Sequence, residues 1–504
     1  MNNLIIILTV AIALKLISSR SKDSLHIVQL EGYDPIHYKK WIESNKEKAY
    51  GLQKNTQTVK KALVFTDRAT RQFRFNIILN TILLLTPSLI YITSKNKFLS
   101  FSVFMTFLVI FVFILYKYQP YIMYLTTIIM KPIEERINLG FYHTAQNKIK
   151  SREDLHVVGV TGSFGKTSTK FIIATILSEK YNVLNTPESY NTPMGLSKVI
   201  NNDLRPEHEV FVAEMGAKII GEIREVAQLA QPTIGVLTSI GPVHIETFKN
   251  IDNIMKTKYE LIEELPTDGV AIFNYDNEYI KKLADKTFKE KILYGLENTN
   301  KLNIYADEIV VSELGSTFTL KDDNGNSMKC TTKLLGRHNI YNILAGVCVA
   351  KSLGLTFDEI SRGIGKIEPI EHRLNIINSG TGVIIIDDAF NSNPIGTKAA
   401  LEVLGQFKEG KKIIVTPGMV ELGEMEEAAN HEFGVNIGKV CDYVILIGEK
   451  RTIPIYEGLM ETNYNKSNIF VVNNLDEATV QIGKLAKAKD VVLFENDLPD
   501  NYSE

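Results

Sequence analysis

The chain has few cysteines and no excess of charge of either sign. Its 504 residues include 3 cysteines, and 56 Lys and Arg face 58 Asp and Glu, for a formal net charge of −2. Cys330, Cys348 and Cys441 lie far apart and form no C-x-x-C pair, which argues against a zinc site and for a reducing compartment. A near-neutral chain also lacks the basic face that nucleic acid requires, so we expect no nucleic-acid partner.

The first apolar run, residues 4–18, lacks the marks of a cleaved signal peptide. It follows "MNN", which has no basic residue, and no small-x-small cleavage site comes after it. We interpret it as a retained membrane span. Two further runs, residues 75–93 and 98–116, have no charge over 19 residues each, about the length that crosses ~30 Å of hydrocarbon. The "SKNK" between them, residues 94–97, is predicted to form a tight turn, so the two runs form a helical hairpin. The alternative, a buried hairpin of a soluble domain, is disfavoured because such helices rarely lack charge on every face.

The distribution of basic residues predicts the orientation of these spans. Lys and Arg are frequent in segment 19–74 and recur after residue 116, whereas the N-terminal tail has none. Basic flanks stay in the cytoplasm, so three spans put the N-terminus outside and everything beyond residue 117 in the cytoplasm. Residues 121–137 fit an interfacial helix or a buried helix of the first soluble domain equally well. The predicted localisation is therefore a multi-pass membrane protein with cytoplasmic catalytic domains.

The stretch "GVTGSFGKTSTK", which contains Gly162, Gly165 and Lys166, has the pattern of a phosphate-binding loop. A β-rich run precedes it and a helical pattern follows, so loop amides and a helix N-terminus would point at phosphate oxygens. Its G-x-x-G-K-T spacing is shorter than the commonest version of this loop. Lys166 would bring a positive charge to the β- and γ-phosphates, and Thr167 a hydroxyl for Mg²⁺. The alternative is an ordinary glycine turn with a solvated lysine.

Strand-like runs alternate with helical stretches along the remaining chain, which predicts two doubly wound α/β units. Polar residues such as Glu214 and His244 end the strands of the first unit, where open α/β sheets bind ligands. The second unit begins near residue 371, and no Pro/Ser-rich linker separates the two. We predict a membrane-anchoring region (1–150), a P-loop ATP-binding domain with a mostly parallel sheet (151–370), and a Rossmann-like domain (371–504).

Together these residues resemble the Mur ligase family of ATP-dependent amide-bond-forming enzymes. The family's signatures occur in order between about residues 154 and 493: "TGSFGKTS", "AEMG", "SIGPVHIETF", "MKTKYEL", "GRHNIYNILAG", "EHR" and "DDAFNSNP". The short loop is the form this family uses. Within it, "DDAFNSNP" and "TPGMVELGE" are most similar to the branch that adds D-alanyl-D-alanine to UDP-N-acetylmuramoyl-tripeptide. The resemblance implies an enzyme of peptidoglycan precursor synthesis that uses ATP and Mg²⁺ and forms an acyl-phosphate intermediate.

The resemblance also implies a role for each matching residue. Lys166 and the loop would hold the ATP phosphates, Thr167 and Glu214 one Mg²⁺, and His244 a second. Lys258 would carry a carbamate, an anion able to take part in the metal site; the alternative is a solvated helix lysine. Asn339 and Asn342, which an i, i+3 spacing places on one helix face, would contact the adenine side, with a capping role as the alternative. Arg373 and Asp388 would reach the γ-phosphate and the ribose. The remaining implied contacts are to the nucleotide for Gly162, Ser163, Gly165 and Ser168, and to the substrate for Asn391 and Asn393.

Two departures from the family's pattern bear on the substrate. Membrane-like sequence and segment 19–74 stand where the soluble enzymes have a domain for the UDP-sugar, so a lipid-linked acceptor is an alternative. Near the C-terminus, the acidic stretch "LFENDLPDNY" stands where that branch has K-G-S-R. This difference indicates either a changed contact to a substrate carboxylate or sequence variation without consequence at the end of a surface strand. Other hypotheses are a related ligase acting on another acidic peptide and a nucleotide-binding membrane scaffold. Retention of Lys166, Glu214, His244, Lys258 and Arg373 argues against the scaffold.

Overall fold

The chain forms two compact units, Met1–Gly140 and Phe141–Leu498, which we call the N-terminal unit and the C-terminal unit. The structure is a computed structural model, and it describes residues 2–51, 62–93, 101–312, 315–378, 380–390, 392–420 and 422–497. The boundaries of the three domains proposed from the sequence remain predictions.

The described part of the N-terminal unit is helical. Its helices are α1 (Asn2–Leu30), α2 (Pro35–Ser44), α3 (Lys46–Tyr50), α4 (Asp67–Thr93), α5 (Phe101–Lys117) and α6 (Gln119–Lys150), the last of which continues into the C-terminal unit. α1 is longer than the span predicted from its apolar run, because the helix continues through the polar residues that follow. Segment 19–74 thus contributes to three helices and the start of a fourth.

Two of these helices have the length and composition needed to cross a membrane. They are α1, over Asn3–Leu30, and α4. α5 and α6 pass the same test only together, and they are bent by 66° at the break between them. The described residues therefore offer two spans, or three if the bent pair counts as one. The predicted turn at 94–97 and the first residues of the span at 98–116 lie outside the described residues.

The C-terminal unit begins with a nine-stranded sheet in the order β2-β3-β1-β4-β5-β6-β7-β8-β9. Every pair up to β7 is parallel, and β7, β8 and β9 are antiparallel. The strands are β1 (His156–Thr161), β2 (Val183–Asn185), β3 (Val210–Glu214), β4 (Ile234–Leu237), β5 (Val270–Asn274), β6 (Lys291–Gly295), β7 (Ile304–Ser312), β8 (Gly315–Asp322) and β9 (Ser327–Thr332). β3 and β4 are buried along their whole length because helices cover both faces of the sheet.

In the described part of the chain, eight helices pack around this sheet. They are α7 (Lys166–Leu177), α8 (Pro193–Asn202), α9 (Glu222–Ala230), α10 (Ile245–Phe248), α11 (Ile251–Glu263), α12 (Glu278–Lys286), α13 (Arg337–Ser352) and α14 (Phe357–Gly365). One apolar core contains residues of α7, α13 and α14, and a second contains residues of α8, α9, α11 and α12.

A second sheet has six strands in the order β10-β11-β15-β12-β13-β14. The strands are β10 (Asn375–Asn378), β11 (Ile384–Asp388), β12 (Lys412–Thr416), β13 (Tyr443–Ile447), β14 (Ile469–Val472) and β15 (Val491–Glu495). Among the strand pairs of this sheet that the structure describes, only β10–β11 is antiparallel. Its helices are α15 (Pro394–Gln406), α16 (Glu426–Val440), α17 (Ile453–Glu461) and α18 (Leu475–Leu485). The predicted architecture is confirmed: two parallel-dominated α/β sheets follow a helical region.

Candidate active site

The loop between β1 and α7 leads directly into a helix N-terminus. Gly165 has a φ of 77°, and a Cβ there would lie 2.7 Å from Oδ1 of Asn342, so both conformation and space require glycine. α7 begins at Lys166. The first-turn amides of a helix have no intrahelical acceptor, so those of Lys166, Thr167 and Ser168 can bind an anion.

Two amides of the same loop are committed elsewhere. The backbone N–H of Ser163 donates to the carbonyl oxygen of Ser239 at 2.7 Å, and that of Phe164 donates to the Ser239 hydroxyl at 3.0 Å. The Ser163 hydroxyl meets the backbone of Gly241. These bonds fix the loop to the end of β4. The amides of Ser163 and Phe164 are therefore unavailable to phosphate. The first-turn amides of α7 remain candidates for holding it.

Lys166 lies folded over its own loop. Its Nζ donates to the carbonyl oxygens of Gly162 at 2.8 Å and Ser163 at 3.1 Å. Burial lowers the pKa of Lys166; the negative charge of Glu214 opposes this shift and the positive charge of Arg373 adds to it. The site therefore brings the positive charges of Lys166 and Arg373 together, and a bound polyanion would relieve the repulsion between them.

A cavity of about 210 Å³ opens beside this loop and is lined from both sheets. Thr167, Glu214 and His244 border it from the first sheet, and Arg373 and Asn393 border it from the second. The other predicted residues on its wall are Ser163, Gly165, Lys166 and Ser168. Lys166 and Arg373, which are far apart in the sequence, thus line the same cavity.

Lys258 is buried within electrostatic range of Lys166 and is not among the described residues that line the cavity. It lies on α11, is 2% exposed, and its Nζ is 5.9 Å from the centre of the Phe248 ring. Burial, reinforced by the charge of Lys166, lowers the pKa of Lys258 to about 7. With this pKa, about half of the Lys258 side chains carry an uncharged, nucleophilic amine at pH 7. The alternative of a solvated helix lysine is inconsistent with this burial.

The second sheet contributes an arginine that lies over an aromatic ring and interacts electrostatically with a carboxylate. The guanidinium carbon of Arg373 lies 4.2 Å from the centre of the Phe390 ring. Asp388, at the end of β11, accepts a hydrogen bond from the Leu374 amide at 3.2 Å. Burial raises the pKa of Asp388 to about 6, against the opposing charge of Arg373. Burial and the charge of Asp388 also raise the pKa of Glu495, on the neighbouring strand.

Asn339 and Asn342 lie beneath the loop and do not border the described cavity. Asn342 accepts a hydrogen bond from the Thr169 hydroxyl at 3.1 Å and donates to Oδ1 of Asn339 at 3.1 Å. Asn339 in turn donates to the Leu335 carbonyl at 2.9 Å. This chain of bonds ties α13 to α7, so both residues support the loop, and their contact with adenine stays a prediction.

The two predicted substrate asparagines are Asn393, at the start of α15, and Asn391. The side-chain oxygen of Asn393 caps α15 by accepting from the amides of Ile395 at 3.1 Å and Gly396 at 2.8 Å, while the residue also borders the cavity. Asn391 lies outside the described residues. Substrate contact stays a prediction for both.

Several residues of the site were missed by sequence reasoning. Lys170 is fully buried and forms an ion pair with Glu214 at 3.3 Å, and Asn191 donates to the same carboxylate at 3.0 Å. Lys170 could have been found, since it lies one helical turn after Lys166. The sequence signal for most of the missed cavity residues was the quoted family signatures, which contain Phe164, Val243, Phe390, Ser392, Val420 and Leu422. Ser189 and Asn191 lie outside every quoted signature.

The donor atoms at this cavity fit Mg²⁺ bound with a nucleotide. No group of three or more His, Cys, Asp or Glu converges on a metal position in the described chain. Mg²⁺ does not need one, because it is usually held by one or two protein oxygens together with phosphates and water. The hydroxyl of Thr167 and the carboxylate of Glu214 are such oxygens.

Comparison with known proteins agrees with this geometry. The Mur ligase middle domain family matches residues 160–350, and the family described as Mur ligase, glutamate ligase domain, matches residues 372–495. The UDP-N-acetylmuramoyl-tripeptide–D-alanyl-D-alanine ligase of Bacillus subtilis is 30% identical over 341 residues, which cover 67% of this chain and 72% of that protein. The Escherichia coli enzyme of the same name is 32% identical over 57% of this chain and 63% of its own length.

Solved structures give the same assignment. The crystal structure of MurF from Acinetobacter baumannii superposes with a TM-score of 0.64 at 26% identity, covering 71% of this chain and 77% of that one. MurF ligase from Thermotoga maritima in complex with ADP also has a TM-score of 0.64, at 27% identity over 71% of this chain and 80% of that one. A phosphate-type loop, a two-sheet cavity and two family domains in sequence together show that the chain belongs to the Mur ligase family and is an ATP-dependent ligase.

Proposed function

We propose that this ligase joins D-alanyl-D-alanine to the terminal carboxylate of a UDP-muramoyl-tripeptide, in peptidoglycan precursor synthesis. One observation carries the proposal: Lys166 and Glu214 of the first sheet and Arg373 of the second border one cavity. ATP and a carboxylate are both anions, and they approach each other only where fixed cations offset their repulsion. The names of the similar proteins supply the substrates.

The first step activates the carboxylate. Its oxygen attacks the γ-phosphorus of ATP, the bond from that phosphorus to the β–γ bridging oxygen breaks, and ADP leaves with the bond electrons. Lys166 and the first-turn amides of α7 would hold the phosphates, and Arg373 would stabilise the charge on the transferring phosphoryl group. The product is an acyl phosphate. Asp388 would reach the nucleotide from the end of β11.

The second step forms the amide. The amine nitrogen of D-alanyl-D-alanine attacks the activated carbonyl carbon, the bond from that carbon to the phosphate oxygen breaks, and the nitrogen loses a proton. Water would hydrolyse the acyl phosphate, so the site must exclude it. Asn393, on the cavity wall, and Asn391 are the proposed substrate contacts.

Mg²⁺ would be held by the Thr167 hydroxyl and the Glu214 carboxylate, with His244 proposed for a second ion. When bound, Mg²⁺ offsets the negative charge of the phosphates. All three residues border the cavity, which supports this assignment.

Lys258 would carry a carbamate. Its uncharged amine attacks CO₂, forms an N–C bond and loses a proton, which turns a potential cation into an anion. Burial and the lowered pKa of Lys258 favour this reaction near neutral pH, and an anion beside Lys166 removes a repulsion.

We also propose that the N-terminal unit anchors the enzyme in the cell membrane, with its catalytic part in the cytoplasm. The apolar helices α1 and α4 support this. Both matched family domains lie beyond residue 159, so the region before it has no counterpart in either. These observations favour a second candidate function, in which the acceptor is a lipid-linked peptide.

The proposal is tested by product analysis with the full-length protein in detergent micelles. We expect phosphate release that requires both D-alanyl-D-alanine and UDP-muramoyl-tripeptide, with the ligated product identified by mass. Turnover with a lipid-linked tripeptide alone would establish the second candidate. No turnover with any acceptor, despite ADP binding, would contradict both and favour a nucleotide-binding scaffold.

A further inference from the structure

Lys170 is a second lysine on the phosphate-loop helix, and it differs from Lys166 in its surroundings. It lies one turn further along α7, is 0% exposed, and is not among the described residues that border the cavity. Its Nζ lies 3.3 Å from Oε2 of Glu214 and also donates to the carbonyl oxygen of Glu188. A fully buried ammonium is stable only when paired in this way. Lys170 therefore joins α7 to the end of β3 and to the loop after β2.

The other oxygen of Glu214 is held from the opposite side. Nδ2 of Asn191 donates to Oε1 of Glu214 at 3.0 Å, and the Asn191 carbonyl accepts from the Gly216 amide at 2.9 Å. A Cβ on residue 216 would lie 2.6 Å from Cγ of Asn191. The Asn191 side chain thus reaches Glu214 only because residue 216 has no side chain, which explains the glycine of "AEMG".

Both oxygens of the buried Glu214 carboxylate are therefore fixed, one by a cation and one by an amide. Glu214 is 1% exposed and still borders the cavity, so its orientation towards the cavity depends on these two contacts. An isolated buried carboxylate would be costly, and the Lys170 charge offsets most of that cost. Groups that orient a metal-binding carboxylate in this way set its affinity for the ion.

We propose that Lys170 is a positioning residue, which holds the Glu214 carboxylate in the orientation that receives a divalent cation with the nucleotide, and that Gly216 serves the same purpose by admitting Asn191. This inference rests on the proposed function, since it takes Glu214 as the ligand of a nucleotide-bound Mg²⁺. If the Lys170–Glu214 ion pair were merely structural, removing it would change thermal stability and leave the Mg²⁺ dependence of nucleotide binding unchanged. A positioning role affects how nucleotide binding depends on Mg²⁺.

The test compares the full-length wild-type protein with Lys170→Met, which keeps an unbranched side chain only one heavy atom shorter and removes its charge. ADP binding is measured by titration calorimetry over a series of Mg²⁺ concentrations. We expect the Mg²⁺ concentration for half-maximal enhancement of ADP binding to rise about tenfold or more. ADP affinity without Mg²⁺ should stay within about twofold of wild type, because Lys166 and the α7 amides are intact. Lys282→Met, at an exposed lysine of α12, is the matched control.

Gly216→Ala provides a variant that keeps both charges. Its Cβ displaces Asn191, so it should shift the Mg²⁺ dependence in the same direction by a smaller factor. Gly365→Ala is the matched control, since a Cβ there meets no atom within 4 Å. If Lys170→Met does not fold, Gly216→Ala alone decides the question. Adding Glu214→Gln to Lys170→Met should raise the unfolding temperature above that of Lys170→Met, because the unpaired carboxylate is then removed.

Wild-type Mg²⁺ dependence in Lys170→Met or, if that variant does not fold, in Gly216→Ala would overturn the inference. Equal loss of ADP binding with and without Mg²⁺ would overturn it too, because Lys170 would then act on the nucleotide and not through Glu214. If the wild type itself bound no ADP, the proposed function would fail before Lys170 was tested. If the wild type bound ADP with an affinity that did not depend on Mg²⁺, the inference about Lys170 would be contradicted, while the proposed ligase function would not.

Discussion

The N-terminal unit and the candidate active site both bury polar side chains, but in a different balance of neutral and charged groups. The charged groups buried in the helical unit include Glu134, whose carboxylate is paired with Arg71 at 2.6 Å. Inside the helical unit, Gln119 donates to the hydroxyl of Ser21 at 2.8 Å and to Oδ1 of Asn76 at 2.7 Å, and Asn76 donates to Thr126 at 2.9 Å. These groups are neutral and bond to one another across α1, α4 and α6. At the active site the buried groups include charged side chains, Lys170, Glu214 and Lys258 among them.

This difference separates a structural network from a functional one. A neutral group that finds a hydrogen bond costs little to bury, and inside an apolar bundle such bonds fix how helices pack. A buried charge costs far more, so a fold keeps several of like sign together only where a ligand or a reaction needs them. Burial lowers the pKa of Lys166 and of Lys258; the charge of Arg373 adds to the shift of Lys166, and the charge of Lys166 adds to that of Lys258. These like charges mark the active site as the place where an anion is expected.

The largest effect is expected from Lys166→Ala. The substitution removes the cation closest to the predicted phosphates, so ATP turnover should fall by at least about 100-fold. The unfolding temperature should not fall with it, because the lost charge repels Lys258 and Arg373. Phosphate release and thermal unfolding measure the two effects. Unchanged turnover would contradict the phosphate-site assignment.

Arg373→Ala should have the next largest effect. Its guanidinium reaches the cavity from the second sheet, so we expect kcat to fall by about 100-fold with a smaller change in ADP affinity. Arg373→Lys should restore little of the lost kcat, since an ammonium cannot reproduce the contact of the planar guanidinium with Phe390. Full activity of the lysine variant would show that charge alone suffices.

Lys258 should be reactive at a pH where other lysines are not. Acylation by a limiting amount of anhydride, followed by peptide mass analysis, should give half-maximal labelling near pH 7 for Lys258, its pKa. Because the unfolded chain binds this proton more tightly than the folded one, the free energy of unfolding should rise with pH from about 7 to about 10. Lys166→Met should move the labelling midpoint upward; a midpoint that stays at 7 would assign the whole shift to burial.

The smallest effect is expected in the helical unit. Asn76→Leu leaves Ser21, Gln119 and Thr126 short of partners, so the unit should lose about 1 kcal/mol of stability. Thr86→Leu, at an exposed position of α4, is the control and should cost less. ADP affinity measured by calorimetry should not change in either variant. A marked loss of ADP affinity in Asn76→Leu would mean that the neutral network also serves the active site.

Local sequence predicted a large part of this site. The loop, its lysine and the polar residues at strand ends follow from short-range patterns, because each occupies a fixed position relative to one strand or one helix. Asn339 and Asn342 show the limit of such patterns. Their spacing put them on one helix face, yet they lie beneath the loop and bond to Leu335 and Thr169, not to the described cavity.

The sequence by itself determined the two α/β sheets, the apolar helices and the phosphate-type loop, because hydrophobic periodicity and glycine geometry act within a few residues. Only the tertiary structure decided that Lys170 pairs with Glu214, that Asn191 passes over Gly216, and that Arg373 shares a cavity with Lys166. These contacts join residues on separate strands, helices and sheets. Their distances depend on how whole elements pack, and no local pattern encodes that packing.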